Sequence, residues 1–368
     1  MLSLSFIFNV QLINMKRNKK PSGNRTFIYI FLSVLLVLAV FGGFKGFVYY
    51  SNMWKSNIFV DIDKKEYLLI YEYDTFDDVV NKLQASGSVK NMQSFIKAAE
   101  KSGYPTNIVS GRYELVDGMS NKELLHKLIN GRQTPTRITF NNIRTKEMLA
   151  LRLSNQLRMD SVAIVNILND NKILSEYGLT SATAVCLFIP NTYEVYWDIS
   201  PEDLLKRMKK EYDKFWTEER LIKLNDVGLD RFEVATLASI VEEETKKKDE
   251  KPIVAGLYLN RIHKGIPLQA DPTLIFAHQD FTIKRVYNSH KELDSPYNTY
   301  KYAGLPPGPI RIPSIETIDA VLNYQDHNYY YMCAKEDFSG YHNFASTLDE
   351  HNKNAAKYRR ELNRRGIR

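Results

Sequence analysis

Cysteine is nearly absent from this chain. Cys186 and Cys333 are the only two in 368 residues, too few and too far apart for a disulfide framework, a zinc site or a redox pair. Free, buried thiols are the expectation, with a single disulfide between the two outside the membrane as the alternative. The compact signatures of several familiar chemistries are also missing: there is no G-x-S-x-G, no H-E-x-x-H, no phosphate loop and no G-x-G-x-x-G. The seven histidines are scattered, and the late pair His342 and His351 has no ligand spacing, so neither a metal nor a cofactor is expected. Hydrophobic residues at 44% and charged residues at 25% lie at the globular average, which excludes wholesale disorder, a collagen-like repeat and a polytopic membrane protein. The length suits about two domains.

A strongly basic body is lacking too, although the net charge of +7 suggests one. Residues 1–25 carry +5, residues 353–368 carry +6, and everything between carries −4. Basicity confined to the two ends argues against a nucleic-acid-binding surface. The N-terminal charge precedes the run TFIYIFLSVLLVLAVFGGF (26–44), 19 positions without a charge. That is about the length needed to cross a hydrocarbon core as a helix. The residues after it make a poor signal-peptidase site, which favours an uncleaved anchor. Lys16, Arg17, Lys19, Lys20 and Arg25 lie before the span and only Lys45 and Lys55 closely after it, so the N-terminus is expected in the cytoplasm and the rest outside. The uncharged opening stands before a second Met-Lys-Arg at Met15, an alternative start.

Three segments, 65–83, 111–131 and 136–157, each read as a strand, a turn and an amphipathic helix. Thr75, Ser120 and Thr145 are the expected caps, with Asp78, Glu123 and Glu147 as the acidic first-turn partners. Residues 141–228 read mostly helical, interrupted by LFIPNTYEVYWDIS (187–200), a loop whose Tyr193, Tyr196 and Trp197 either line a groove or pack. Asp230 and Glu233 cap a further helix, and Pro252 opens another that Gly265 closes. The stretches IPLQADPTLIF and SPYNTYKYAGLPPGPIRIP are read as irregular because of their proline. A hairpin (329–334 with 341–345) and a basic helix from about Leu348 complete an α+β chain.

Glu242, Glu243 and Glu244 end the helix that Asp230 opens. At about 100° per residue, with Val234 at 0°, the apolar Leu237, Ile240 and Val241 fall between roughly −20° and −120°, Glu244 near −80°, Glu242 near +80° and Glu243 near 180°. Glu244 alone shares the apolar stripe. A carboxyl group so placed is costly to ionise and suited to act as a general acid, unless the helix ends early and leaves it in solvent.

SIVEEET (239–245), NRIHKGIPLQADPTLIF (260–276), YNTYKYAGLPPGPI (297–310) and HNFASTLDEHN (342–352) together resemble the MltG (YceG-like) endolytic murein transglycosylases, in order and in spacing. SGRYELVDGMS (110–120) looks like a strand and turn of the family's LysM-like module. The resemblance implies a basic cytoplasmic end (1–25), a transmembrane helix (26–48), a small LysM-like β/α module (57–138), a helical linking region (139–228) and a mixed α+β catalytic domain (229–368). It implies Glu244 as the catalytic acid, the last glutamate of the family's motif, with Glu243 standing where relatives often have Lys. Gln269, Asp271, Asn298 and Tyr300 are then the expected substrate contacts, although turn-stabilising roles fit them as well. Asp271 is read first as fixing backbone or substrate within a turn. The implied activity cleaves the MurNAc-β-1,4-GlcNAc bond of peptidoglycan strands without water, leaving 1,6-anhydroMurNAc ends. It would act at the outer face of the cytoplasmic membrane, in company with peptidoglycan synthases, and end nascent strands. A non-catalytic wall-binding scaffold and a hydrolytic muramidase are the alternatives.

Overall fold

A computed structural model describes residues 23–61 and 63–366. The basic N-terminal run up to Lys20 and the alternative start at Met15 lie outside the described residues. The chain is α+β, dominated by helices, with three separate two-stranded sheets among the described residues. It divides into two compact units, one ending at Val109 and adding Tyr113–Arg132, the other made of Ser110–Arg112 and Gln133–Arg368.

The first unit includes α1 (Gly23–Trp54), whose stretch Phe27–Trp54 is long and apolar enough to cross a membrane and is exposed from Phe27 to Tyr50. Its last turn joins a small module. The Asn52 carbonyl accepts from Asn121 Nδ2 at 2.8 Å, and Met53 packs against a core that includes Ile70, Phe95, Tyr104 and Leu124. That core is built by β1 (Glu66–Ile70), α2 (Phe76–Ser86), α3 (Met92–Ser102), β2 (Gly111–Leu115) and α4 (Asn121–Ile129). Thr75 and Ser120 cap α2 and α4 in reciprocal boxes with Asp78 and Glu123, so both caps are legible in local sequence.

The second unit starts with β3 (Thr136–Thr139), followed by α5 (Lys146–Ser154), α6 (Ser161–Ile167) and α7 (Asn171–Ser175). Thr145 caps α5 through the Met148 amide, not Glu147, which sits one residue too early for a box. The expected loop at 187–200 contains a strand instead: β4 (Thr192–Val195) pairs antiparallel with β3, Ile138 opposite Tyr193. Tyr193 is buried, stacks on Phe140 and donates its hydroxyl to the Ile189 carbonyl, so it packs rather than lining a groove. Next come α8 (Pro201–Phe215) and α9 (Glu218–Val227). The central helix is α10 (Arg231–Glu244), capped by the Asp230–Glu233 box, with every residue from Val234 to Val241 buried. Beside it lie α11 (Lys251–His263) and α13 (Ile315–Leu322).

Proline misleads the reading of 266–276. DPTLIFAH forms α12 (Asp271–His278), with Pro272 in the first turn, where its missing N–H costs no helical bond. The hairpin is β5 (Tyr331–Ala334) with β6 (His342–Ala345), and α14 (Leu348–Arg364) follows. Both cysteines are free thiols, Cys186 buried and Cys333 only half-buried.

Gly256, in the middle of α11, shows how closely this unit packs. A Cβ there would stand 2.2 Å from the Gln325 carbonyl oxygen. Helical Gly→Ala ordinarily stabilises by about 0.5–1 kcal/mol. Here the sign reverses: Gly256→Ala is expected to cost about 1–3 kcal/mol and to lower the thermal midpoint followed by circular dichroism. A rise would show that the 325 segment yields freely.

Candidate active site

Glu244 is the last residue of α10, and the residues immediately after it pin it in place. Thr245, buried, donates its hydroxyl to Glu250 Oε2 at 2.9 Å. Glu250 also accepts from the His342 backbone at 2.6 Å and meets His342 Nδ1 at 3.0 Å. The α10–α11 junction is thereby fastened to the hairpin.

The three glutamates part company through their partners. Glu242 accepts from the Ser314 amide at 2.6 Å and faces Arg311 at 3.5 Å. Glu243 is held by Arg144 at 3.0 Å and, more closely still, by Arg311. Glu244 makes no ion pair among the described residues; its Oε1 accepts a 2.8 Å hydrogen bond from the hydroxyl of buried Tyr258 on α11. Burial raises the Glu244 pKa to about 7, Tyr258 pulls it down, and the charges of Asp271 and, less, Glu243 push it up. The helical wheel therefore separates Glu244 from its two neighbours, as the structure does, but on an incomplete premise. All three carboxyl groups are at least partly buried, because α10 is enclosed on every side, and cations rather than faces distinguish them.

Two sequence motifs separated in the chain form one support. The Gln269 and Ala270 amides donate to the Thr299 carbonyl and hydroxyl at 3.0 and 3.1 Å, and the Thr273 and Thr299 hydroxyls meet at 2.8 Å. This brings Tyr300 to Asp271, whose Oδ1 accepts its hydroxyl at 2.5 Å. Asp271 is the first residue of α12, so a helix and not a turn carries it, with the positive end of that helix beneath its carboxylate. Gln269, at φ +54°, is exposed, and its Oε1 accepts from Arg261 at 2.9 Å. Asn298 differs from the other expected contacts. It is fully buried, its amide donates to the Lys291 and Leu293 carbonyls, and its Oδ1 accepts from the Tyr300 amide. Its polar groups serve the loop.

Glu244 and Asp271 lie where two cavities of about 310 and 300 Å³ adjoin. Arg144, Pro272, Phe276, Phe281 and Ile310 help line the first. The second is lined by Tyr258, Arg261, Gln269, Tyr300, Tyr331 and His351, among others. The two volumes form arms of a cleft on either side of the carboxyl pair. Tyr258, Arg261, Arg144 and Arg311 are not singled out by sequence reasoning. The available signal is the spacing of Tyr258 and Arg261, three apart and so on one face of α11.

Such a site defines a class: a cleft that continues past its carboxyl pair, with one protonatable carboxyl group and a second carboxylate fixed nearby. Residues 68–357 match the YceG-like family, and the chain belongs to that family. It is 30% identical over 300 residues to an endolytic murein transglycosylase of Bacillus subtilis, covering 76% of this chain and 80% of that protein. It is 26% identical to an endolytic murein transglycosylase of Streptococcus pneumoniae, covering 91% of this chain but 65% of the pneumococcal protein. A crystal structure of a YceG-like protein from Listeria monocytogenes shares the fold, with a TM-score of 0.53 at 24% identity, over 79% of this chain and 99% of that one.

Proposed function

We propose that this chain is a membrane-anchored endolytic murein transglycosylase with Glu244 as its acid and base. The observation that carries the reading is a carboxyl group with a pKa of about 7 and no cationic partner among the described residues, set where two arms of a cleft adjoin. A group that is half protonated near neutral pH gives and takes a proton with little bias, as a two-step reaction at one residue requires.

Protonated Glu244 donates to the glycosidic oxygen between MurNAc and GlcNAc, and the bond from the MurNAc anomeric carbon to that oxygen breaks. The C6 hydroxyl of the same MurNAc then attacks the anomeric carbon and returns its proton to Glu244. The products are a free GlcNAc hydroxyl and a 1,6-anhydroMurNAc end, and no water is consumed. Tyr258 occupies Oε1 and so directs the proton to Oε2. Asp271, its orientation fixed by Tyr300, supplies negative charge beside the carbon that becomes positive. Gln269 and Tyr300 offer polar contacts to the sugar, whereas Asn298 acts by shaping the loop.

The apolar α1 suits an anchor in the cytoplasmic membrane with the N-terminus inside. The reading keeps 57–138 as a LysM-like wall-binding module, 139–228 as a linking region and 229–368 as the catalytic domain. From the outer face the enzyme would cut nascent strands beside the peptidoglycan synthases. Protease added to spheroplasts is expected to remove everything after residue 60 and spare the N-terminus; full protection would reverse the orientation.

Muropeptide analysis of murein treated with the full chain tests the chemistry. Wild type is expected to release anhydro ends and Glu244→Gln to release at least about 100-fold fewer, on the usual scale for removing a general acid. Ends heavier by one water would mean a hydrolase, and undiminished cell-wall function in Glu244→Gln would mean a scaffold. Activity is expected to fall as pH rises through about 7, where Glu244 loses its proton. Because the Tyr258 hydrogen bond lowers that pKa, Tyr258→Phe is expected to move the falling limb to higher pH while reducing kcat. An unmoved limb would leave Tyr258 a packing residue.

A further inference from the structure

The second unit holds another cavity that the chemistry at Glu244 does not use, a groove of about 600 Å³ between the hairpin and α14. The rings of Tyr329 and Phe344 both line it, stacked with centroids 5.6 Å apart. Its wall is one face of α14, where Lys353, Asn354, Lys357 and Arg360 recur at helical spacing. Lys353 pairs with exposed Asp349 at 2.6 Å, and Lys357 stabilises the charge of nearby Glu336. Arg360, exposed, makes no hydrogen bond or ion pair among the described residues. Glu350 is the one acidic residue lining the groove, and its carboxylate is occupied by the Ser346 and Thr347 amides in the α14 cap. An aromatic surface beneath a row of cations results.

The groove continues from the cleft along shared elements. The hairpin segment that gives Tyr330, Tyr331 and Met332 to the cleft gives Tyr329 to the groove. In the same way α14 gives His351 to the cleft and Glu350, Lys353 and Asn354 to the groove. A polymer that leaves the Glu244 cleft beside His351 meets this groove next. Continuity favours an occupant that already lies in the cleft, and the row of cations requires that it carry negative charge at intervals. Murein strands meet both conditions, through sugar rings that stack on aromatic faces and peptide stems that end in carboxylates.

We propose that the hairpin–α14 groove is a distal subsite for the glycan strand, holding sugar on Tyr329 and Phe344 and stem carboxylates on Lys353, Lys357 and Arg360. This rests on the reading of the chain as acting on murein. The subsite grips the strand several sugars away from the bond that is cut, so it favours long, stem-bearing strands over short fragments.

Binding measured without cleavage separates this proposal from that reading. The full chain in detergent, carrying Glu244→Gln, is compared with the same chain also carrying Lys357→Glu and Arg360→Glu. The ligands are purified glycan strands stripped of phosphodiester polymers, with stems intact or removed by an amidase and the lactyl carboxyl groups so freed converted to methylamides. Charge reversal is expected to weaken binding to stem-bearing strands about tenfold, the scale of two exposed charges reversed, and to leave binding to stem-free strands nearly unchanged. Lys357→Arg with Arg360→Lys is expected to bind like the parent, which rules out a folding defect. Equal binding of stem-bearing strands by both chains, or equal loss on stem-free strands, overturns the subsite. If wild type releases no anhydro ends, the proposed chemistry fails while this comparison still decides the groove.

Discussion

Keeping one carboxyl group away from every cation, in a unit well supplied with arginine, is the constraint on which the site depends. Arg311 and Arg144 lie close enough to neutralise Glu243, and Arg311 also faces Glu242, yet neither pairs with Glu244. An arginine there would drop its pKa by about 1–3 units and leave a permanent carboxylate with no proton to give. Arg311 is held off by its own commitments, to Asn142 at 2.8 Å and to the other two glutamates. Its backbone follows the GLPPGPI loop, which the Ile310 amide fastens to Ser239 on α10 at 3.0 Å. The proline-rich loop thus acts at a distance on the charge state of a helix end. Gly308 lets that loop pass the Ala182 carbonyl, where a Cβ would stand 2.2 Å from the oxygen.

Local features are legible in sequence and non-local ones are not. Thr75, Ser120 and Asp230 stand out as caps because the partner lies three residues away. The helix at 271–278 escapes a reading that weighs proline as a breaker, although the first turn of a helix tolerates it. β4 is hidden by Pro190, yet its burial alternates along Thr192, Tyr193, Glu194 and Val195, the period of a half-buried strand. Glu244 is reached from one apolar stripe, but α10 is buried on all sides, and the cations that set Glu242 and Glu243 apart come from residues up to 99 positions away. No periodicity carries that information.

The same distinction explains why LQADPT and YNTY read as separate motifs. Thr299 ties Gln269, Ala270 and Thr273 together across 26 to 30 positions, and the product of that knot is the Tyr300–Asp271 bond. Asn298, whose amide suits a sugar on chemical grounds, supports the knot from behind. A buried amide with its polar groups satisfied is a structural element, and removing it would strand three backbone groups.

A single residue that serves as both acid and base needs a pKa set by opposing influences rather than by one. Desolvation alone would push Glu244 upward, as would the nearby charge of Asp271, and a proton held too firmly is not given to a weakly basic glycosidic oxygen. Tyr258 acts in the other direction, since its hydroxyl stabilises the ionised form, the one the proposed reaction passes through between its two proton transfers. Asp271 raises the Glu244 pKa, and in the proposed reaction the same carboxylate would also favour positive charge on the substrate, promoting protonated Glu244 before the bond breaks and the oxocarbenium-like carbon afterwards. Tyr300 keeps that carboxylate oriented without neutralising it, which a lysine or arginine in its place would do. Hydrogen-bond donors that carry no charge therefore hold Glu244 and Asp271, while Arg144 and Arg311 are kept to Glu242 and Glu243.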